Sequence, residues 1–298
     1  MFDATVVIRG FDRTVTQRIG ALNSRYLGRK RPLVESRMLL EIGADARPLR
    51  DLRAQLGIDS GFLSRTLRSL ERHGLVRTTR PPGGDGRIRI AQLTAAGRNE
   101  LRKLNELSDN LARSVLAPLS TDQGERLIMA MAEVERLLRA SAVELRTERP
   151  STREARWCLK RYFEELAARF RTGFDPSVDG TPASEFAPPQ GFFLVARLDQ
   201  QPIGCGALKL CDRSTGEIKR LWVAPHARGL GVARRIVREL ESIARSCRLH
   251  TVRLDTNESL TEARALYDSC GYHEVEPFND NPYAHHWFAK SVASSRDS

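Results

Sequence analysis

Apolar residues recur at three- and four-residue spacing over residues 5–27 and again over 34–42, which predicts two helices separated by a break at 28–32. In "RPLRDLRAQLG" Leu49, Leu52 and Leu56 share one face, Pro48 suits a first turn, and Gly57 stands where a third, short helix must end. "IDSGFLSRTLRSLERHGL" supplies a fourth helix, opened by Asp59 or Ser60 as N-cap and stopped at Gly74. Two short helices joined by a three-residue turn make a helix-turn-helix. In the second of them Leu63, Leu67 and Leu70 form an apolar stripe, and Gly61, Ser64, Arg65, Arg68 and Arg72 lie off it. The period then changes: "LVRTTRPPGGDGRIRIAQLT" predicts two strands around a Pro-Pro-Gly-Gly-Asp-Gly turn. Two long helical segments follow, "TAAGRNELRKLNELSDNLARSVLAPL" and "STDQGERLIMAMAEVERLLRASAVEL", the second with Ser120 as N-cap.

The texture shifts after this. "RTERPSTREAR" is polar, charged and broken by Pro150, so the sequence places a linker at 147–154, between a domain over 1–146 and another over 155–298. A helix over about 156–171 leads into a long loop rich in Gly, Pro and Ser, "TGFDPSVDGTPASEFAPPQG". Three strands come in close order, "GFFLVARLD", "QPIGCGALKLC" and "GEIKRLWVAP". The stretch "RGLGVARR" then sits between a strand ending near Val223 and a helix running to about Ser246. Such a turn presents free backbone N–H groups at the positive end of a helix, and Gly229 and Gly231 let phosphates approach. The pattern is neither a P-loop nor part of a dinucleotide-binding βαβ unit.

Composition narrows the partners. With 298 residues, 41% of them hydrophobic, the chain is long enough for two cores. No apolar run approaches the ~20 residues of a membrane span, and "MFDATVVIRGFDRT" has charges where a signal peptide needs an apolar core, so a cytoplasmic protein without membrane partners is expected. The five cysteines form no CxxC pair, and neither disulfides nor a metal site is expected. Residues 1–150 hold 27 Lys and Arg against 18 Asp and Glu, so +9 of the formal charge of +11 lies in the first half. That excess suits a polyanion or a solvated basic surface. The helix-turn-helix with its basic hairpin favours the first: small residues near a helix N-terminus let it approach base edges, and a hairpin arginine can enter the minor groove.

The first half resembles the MarR family of transcriptional regulators over about residues 5–140, through "ESRMLLEI", "SRTLRSLERHGLV" and the Asp85-Gly86-Arg87 hairpin tip. The resemblance implies an all-α winged helix-turn-helix in which Ser60, Gly61, Ser64, Arg65 and Arg68 face double-stranded DNA, Arg87 makes the wing contact and Asp85 holds it. It also implies a homodimer through the terminal helices, on a pseudo-palindromic operator. Residues 155–292 resemble the GNAT acetyltransferases. Arg228, Gly231 and Ala233 match that family's acetyl-CoA loop, and "EIKRLWVAP" before it and "VRLDTNESLTEARALYDSCGY" after it fall in the family's order. This implies an α/β domain with a mixed, mostly antiparallel sheet, and acetyl-CoA held by Leu221, Trp222, Val223, Arg228, Gly229, Leu230, Gly231, Val232, Ala233, Asn257 and Tyr267.

Acetyl transfer to an amine needs a neutral amine, a polarised carbonyl and a stabilised or protonated leaving thiolate. By the resemblance Tyr267 is the general acid; otherwise it is a core tyrosine. Asn257 lies beside the cofactor's pantetheine arm or is a strand-to-helix cap. Glu217 can take the amine's proton directly or through water, or is a surface strand glutamate. A backbone N–H near Trp222 or Val223 polarises the carbonyl, where the strand of that family bulges. "FNDNPYAHHWFAK" gathers Asp280, Tyr283 and His286 as candidates for the acceptor amine or amino acid; its adjacent histidines point to opposite strand faces and make a poor metal pair. The function expected is a regulator that is also an N-acetyltransferase, the alternative being a regulator whose second domain only senses acetyl-CoA or a small ligand.

Overall fold

The computed structural model describes residues 3–21, 26–29, 31–80, 88–171, 173–178 and 181–293. The chain divides into two compact units, Met1–Ala130 and Met131–Ser298.

The first unit begins with α1, Ala4–Arg18. It ends short of the expected 27 because Gly20 takes a left-handed φ of +66°. Then come α2 (Leu33–Ile42), β1 (Arg47–Pro48), α3 (Leu49–Leu56) and α4 (Ser60–Arg72). Asp59, not Ser60, caps α4: its carboxylate accepts the Phe62 N–H at 2.8 Å, and this backbone hydrogen bond holds its pKa below the usual range. Leu63, Leu67 and Leu70 of α4 are buried against Met38, Leu39 and Ile42 of α2 and Leu52 of α3. The wing strands β2 (Val76–Thr79) and β3 (Ile90–Leu93) pair antiparallel, Val76 opposite Leu93 and Thr79 opposite Ile90, with β1 on the far side of β3. Asp85 and Arg87, at the wing tip, lie outside the described residues. α5 (Ala95–Leu116) begins against this hairpin at Gly97, where any Cβ would stand 2.0 Å from the Leu75 carbonyl oxygen. α6 (Thr121–Ser141) has no buried residue along its length, and neither has α1.

The second unit is a seven-stranded sheet ordered β4-β5-β6-β7-β8-β10-β9, antiparallel except for the β7–β8 pair. Its strands are β4 (Glu144–Glu148), β5 (Gly191–Leu198), β6 (Gln201–Leu210), β7 (Thr215–Val223), β8 (Thr251–Thr256), β9 (His273–Val275) and β10 (His286–Ser291). The helices are α7 (Arg153–Arg169), α8 (Val232–Ser246) and α9 (Thr261–Ser269). Alternation along β5 builds two cores. Leu194 and Ala196 join Ile236, Val237 and Leu240 of α8, whereas Phe193 and Val195 join Ala155, Cys158 and Leu159 of α7. The expected linker at 147–154 is corrected here. "ELRTE" is strand β4, paired from Glu144 opposite Arg197 to Glu148 opposite Phe193. It reads as a linker because an edge strand with an open flank tolerates charge at nearly every position.

Candidate functional site

β7 and β8 pair side by side only from Thr215 opposite Thr251 to Glu217 opposite Arg253. Beyond that β7 stays with β6 and β8 with β10, so the sheet parts into a cleft of about 500 Å³. Along the β7 wall the register against β6 slips between Cys205 opposite Trp222 and Ala207 opposite Lys219. The bulge therefore lies at Arg220 and Leu221, just before the expected Trp222 and Val223. Arg220 takes a φ of +58° there and carries its guanidinium over the Phe163, Phe186 and Tyr162 rings, 5.0, 5.7 and 5.9 Å from their centroids.

One end of the cleft is the loop 228–233. Gly229 and Gly231 have φ of +79° and +72°, and a Cβ added at either would meet nothing within 4 Å, so the backbone conformation rather than crowding calls for glycine. Gly231 starts α8 with no side-chain cap, which leaves first-turn N–H groups for an anion. The loop is braced from outside: Arg136 of α6 donates to the Gly229 carbonyl at 3.1 Å, and Arg235 of α8 donates to the Ala140 and Val143 carbonyls at 2.8 Å each. Arg228 is tied to α7 and to the end of β7. Its guanidinium donates to both Glu165 oxygens at 2.6 Å and to the Val223 carbonyl at 3.2 Å, and Glu165 also accepts the Trp222 indole N–H at 2.9 Å. Arg169 bonds Glu262 of α9 and the Ser259 carbonyl, and its hydrogen bonding carries the Glu262 carboxyl down to about 2.

Leu221, Trp222, Val223, Arg228, Gly229, Gly231, Val232, Ala233, Asn257, Tyr267 and Tyr283 all line the cleft. Leu230 instead turns into the α8 core. The Tyr267 ring is buried against Tyr272 and Phe288, centroids 6.1 and 5.8 Å away, and burial pushes its hydroxyl pKa well up. Glu217 is no open base. It lies off the lining, buried, with Oε1 2.8 Å from Lys219 Nζ and Oε2 3.4 Å from Arg253. Asp280 is exposed and off the cleft, and His286 faces β9, its Nδ1 2.6 Å from Glu274.

The sequence reading missed Glu165, Arg169, Lys219, Asp255, Asn281, Phe170 and Phe174, all of which line the cleft. Lys219 bridges Glu217 and Asp255, the latter at 2.9 Å; burial pulls its pKa down, but the two carboxylates prevail and it ends above the ordinary lysine value. Asn279 and Asn281 add hydrogen bonds to Asp255 at 2.7 and 3.1 Å. A signal was present: Glu217 and Lys219 on β7, and Arg253 and Asp255 on β8, each put opposite charges two residues apart, on one face of a strand.

In the first unit Ser60, Arg65 and Arg68 of α4 are exposed and Gly61 and Ser64 half-buried. Ser60, Ser64 and Arg68 border a hollow of about 320 Å³ together with Arg50, Arg53 and Arg89.

Residues 28–88 match the MarR family model, and residues 132–272 match that of the acetyltransferase (GNAT) family. An IAA acetyltransferase of Azospirillum brasilense is 37% identical over 98 residues, 33% of this chain and 63% of that protein. An uncharacterized HTH-type transcriptional regulator, YdgJ of Bacillus subtilis, is 31% identical over 91 residues, 30% of this chain and 55% of that one. The chain thus spans less than two thirds of these relatives. A GNAT-family acetyltransferase of Staphylococcus aureus Mu50 superposes with a TM-score of 0.45 at 15% identity, over 51% of this chain and 99% of that one. The fold and the cleft define a mixed α/β domain that follows a winged helix-turn-helix in the chain. One segment of the chain is thus similar to the MarR family and a second, separate segment to the acetyltransferase (GNAT) family. Among the described residues no helix is long and apolar enough to cross a membrane, and no cluster of His, Cys, Asp or Glu could hold a metal ion.

Proposed function

We propose that the second unit transfers an acetyl group from acetyl-CoA to a small primary amine, and that the first unit binds double-stranded DNA as a homodimer. The observation that carries the first part is the parted β7–β8 pair, which opens a cleft between an uncapped helix N-terminus and a buried tyrosine. The residues fit the cofactor. The N–H groups at the start of α8 and Arg234, whose guanidinium reaches only neutral Ser269 oxygens among the described residues, suit phosphates; Leu221, Trp222, Val223 and Asn257 line the path inward. Acetyl-CoA supplies the activated acetyl group. Tyr267, kept protonated by burial, gives its proton to the departing sulfur. Asp255, the carboxylate on the lining nearest Lys219, replaces Glu217 as the group that holds the amine and receives its proton.

Gly231→Asp should abolish acetyl-CoA binding in calorimetry, since a carboxylate would stand where the phosphates need N–H groups and at a φ that a side chain disfavours. Unchanged affinity would remove the loop from the site. Wild-type binding of acetyl-CoA with no acetylated product from a metabolite extract would leave the sensor reading in its place.

For the first unit, the exposed α4 face and its surrounding arginines support major-groove contact. The homodimer is supported by large apolar side chains left exposed: Val7 and Phe11 of α1 are 55% and 45% exposed and Met129 of α6 is 72% exposed. Arg68→Ala should weaken binding to a duplex selected from a random pool by about 1–3 kcal/mol in gel-shift titration. An unaltered titration would take α4 out of the interface.

A further inference from the structure

The part of the cleft tied to Asp255 differs in chemistry from the glycine loop. Phe170, Phe174 and Tyr283 form its wall, with ring centroids 4.8 Å apart for Phe174–Tyr283, 5.7 Å for Phe170–Phe174 and 5.8 Å for Phe170–Tyr283. Phe170 is buried, but Phe174 and Tyr283 are half-exposed where they line the cavity, so apolar ring surface is left open to it. The wall is fixed in place. The Tyr283 hydroxyl accepts the Asp175 N–H at 2.9 Å, its carbonyl accepts from Asn257 at 2.8 Å, and its N–H donates to Asn281 at 3.1 Å. Asn281 in turn reaches Asp255, so the aromatic wall and the cleft carboxylate are held by one hydrogen-bonded run.

The cations of the cleft are engaged by this chain's own groups. Lys219 is paired with Glu217 and Asp255, Arg169 with Glu165 and Glu262, and Arg228 with Glu165. Arg220 lies over aromatic rings and donates to the Thr181 carbonyl. Arg234 stands at the glycine loop, on the cofactor side. A carboxylate on the acceptor would have to share Lys219, Arg169 or Arg228 with a carboxylate already bound there, or compete with the present partners of Arg220, whereas an amine needs no such exchange. Asp255 Oδ1 accepts one hydrogen bond among the described residues, from Asn281, and has capacity for a second.

We propose that the acceptor is an aromatic primary amine lacking a carboxylate, its ring against Phe174 and Tyr283 and its nitrogen at Asp255. This rests on the acetyl-transfer reading. The ammonium first loses a proton by way of Asp255 to solvent. The nitrogen lone pair then forms the bond to the acetyl carbon as the carbon–sulfur bond breaks with its electron pair on sulfur. Sulfur takes the Tyr267 proton, and the second nitrogen proton returns to the tyrosine through solvent, leaving an amide and a free thiol. Ring stacking and the charge-assisted hydrogen bond supply the selectivity.

The test is the rate of thiol release from acetyl-CoA with 2-phenylethylamine, phenylalanine or butylamine, for wild-type protein and Phe174→Leu. 2-Phenylethylamine should exceed each of the others in kcat/KM by about tenfold or more. Phe174→Leu should erase most of its advantage over butylamine through KM, with acetyl-CoA affinity unchanged in calorimetry. Equal turnover of butylamine or phenylalanine, or a preference that survives Phe174→Leu, would overturn the assignment. If acetyl-CoA binds and none of the three amines is acetylated, this assignment falls while the metabolite-extract assay still judges transfer. If acetyl-CoA itself does not bind, the transfer reading falls first.

Discussion

Tyr267→Phe is expected to lower kcat by about 10²–10⁴-fold while leaving acetyl-CoA affinity within about twofold, because it deletes a proton and no packing. The ring is already seated between Tyr272 and Phe288, and phenylalanine fills the same space. Burial raises the hydroxyl pKa, so the group is present as the acid, not the phenolate, throughout the neutral range. An acid with a raised pKa works below that value and fails only as pH climbs through it. The wild-type kcat should therefore show no tyrosine-dependent fall below about pH 10. A loss under about threefold in Tyr267→Phe would mean that water protonates the leaving sulfur.

Lys219→Met is expected to destabilise the second unit by about 3–5 kcal/mol, the cost of leaving buried carboxylate without its cation. Glu217 and Asp255 both lean on this ammonium, and Arg253 reaches only the first of them among the described residues. The pH dependence has a definite sign. Lys219 has its pKa raised in the folded state, so its contribution is fully present below the unfolded lysine value and is lost as pH rises through the folded one. All three tryptophans, Trp157, Trp222 and Trp287, lie in the second unit, so urea unfolding followed by their fluorescence reads this unit. A loss under about 1 kcal/mol at pH 7 would show that solvent replaces the ammonium.

The elements with strong local signals were legible. Leu63, Leu67 and Leu70 gave α4 and its buried face, and the glycines at 229 and 231 gave the turn into α8. The glycine-loop part of the cleft was readable for the same reason: it is built from one contiguous loop and its flanking strand. The aromatic and acidic part was not, because it assembles from four separated segments. Phe170 and Phe174 follow α7, Lys219 lies on β7, Asp255 on β8, and Tyr283 precedes β10. Glu217 was chosen for its residue type, but the salt bridges that remove it from the solvent come from residues up to 36 positions away. The bulge at Arg220 and the strand at 144–148 likewise depend on what lies opposite, which periodicity does not report.

The charged strand β4 bears on where this protein can be cut. It covers the outer flank of β5, whose "GFFLVARL" is nearly all buried, while the last turn of α6 and the residues after it supply the carbonyls that Arg235 holds. A fragment beginning at Pro150 would keep every residue of the cleft yet present a long apolar edge strand with unpaired N–H and C=O groups, an invitation to intermolecular pairing. Any exchange of this domain between proteins, in the laboratory or in evolution, stays soluble only if the joint falls upstream of the charged strand, within the helix before it.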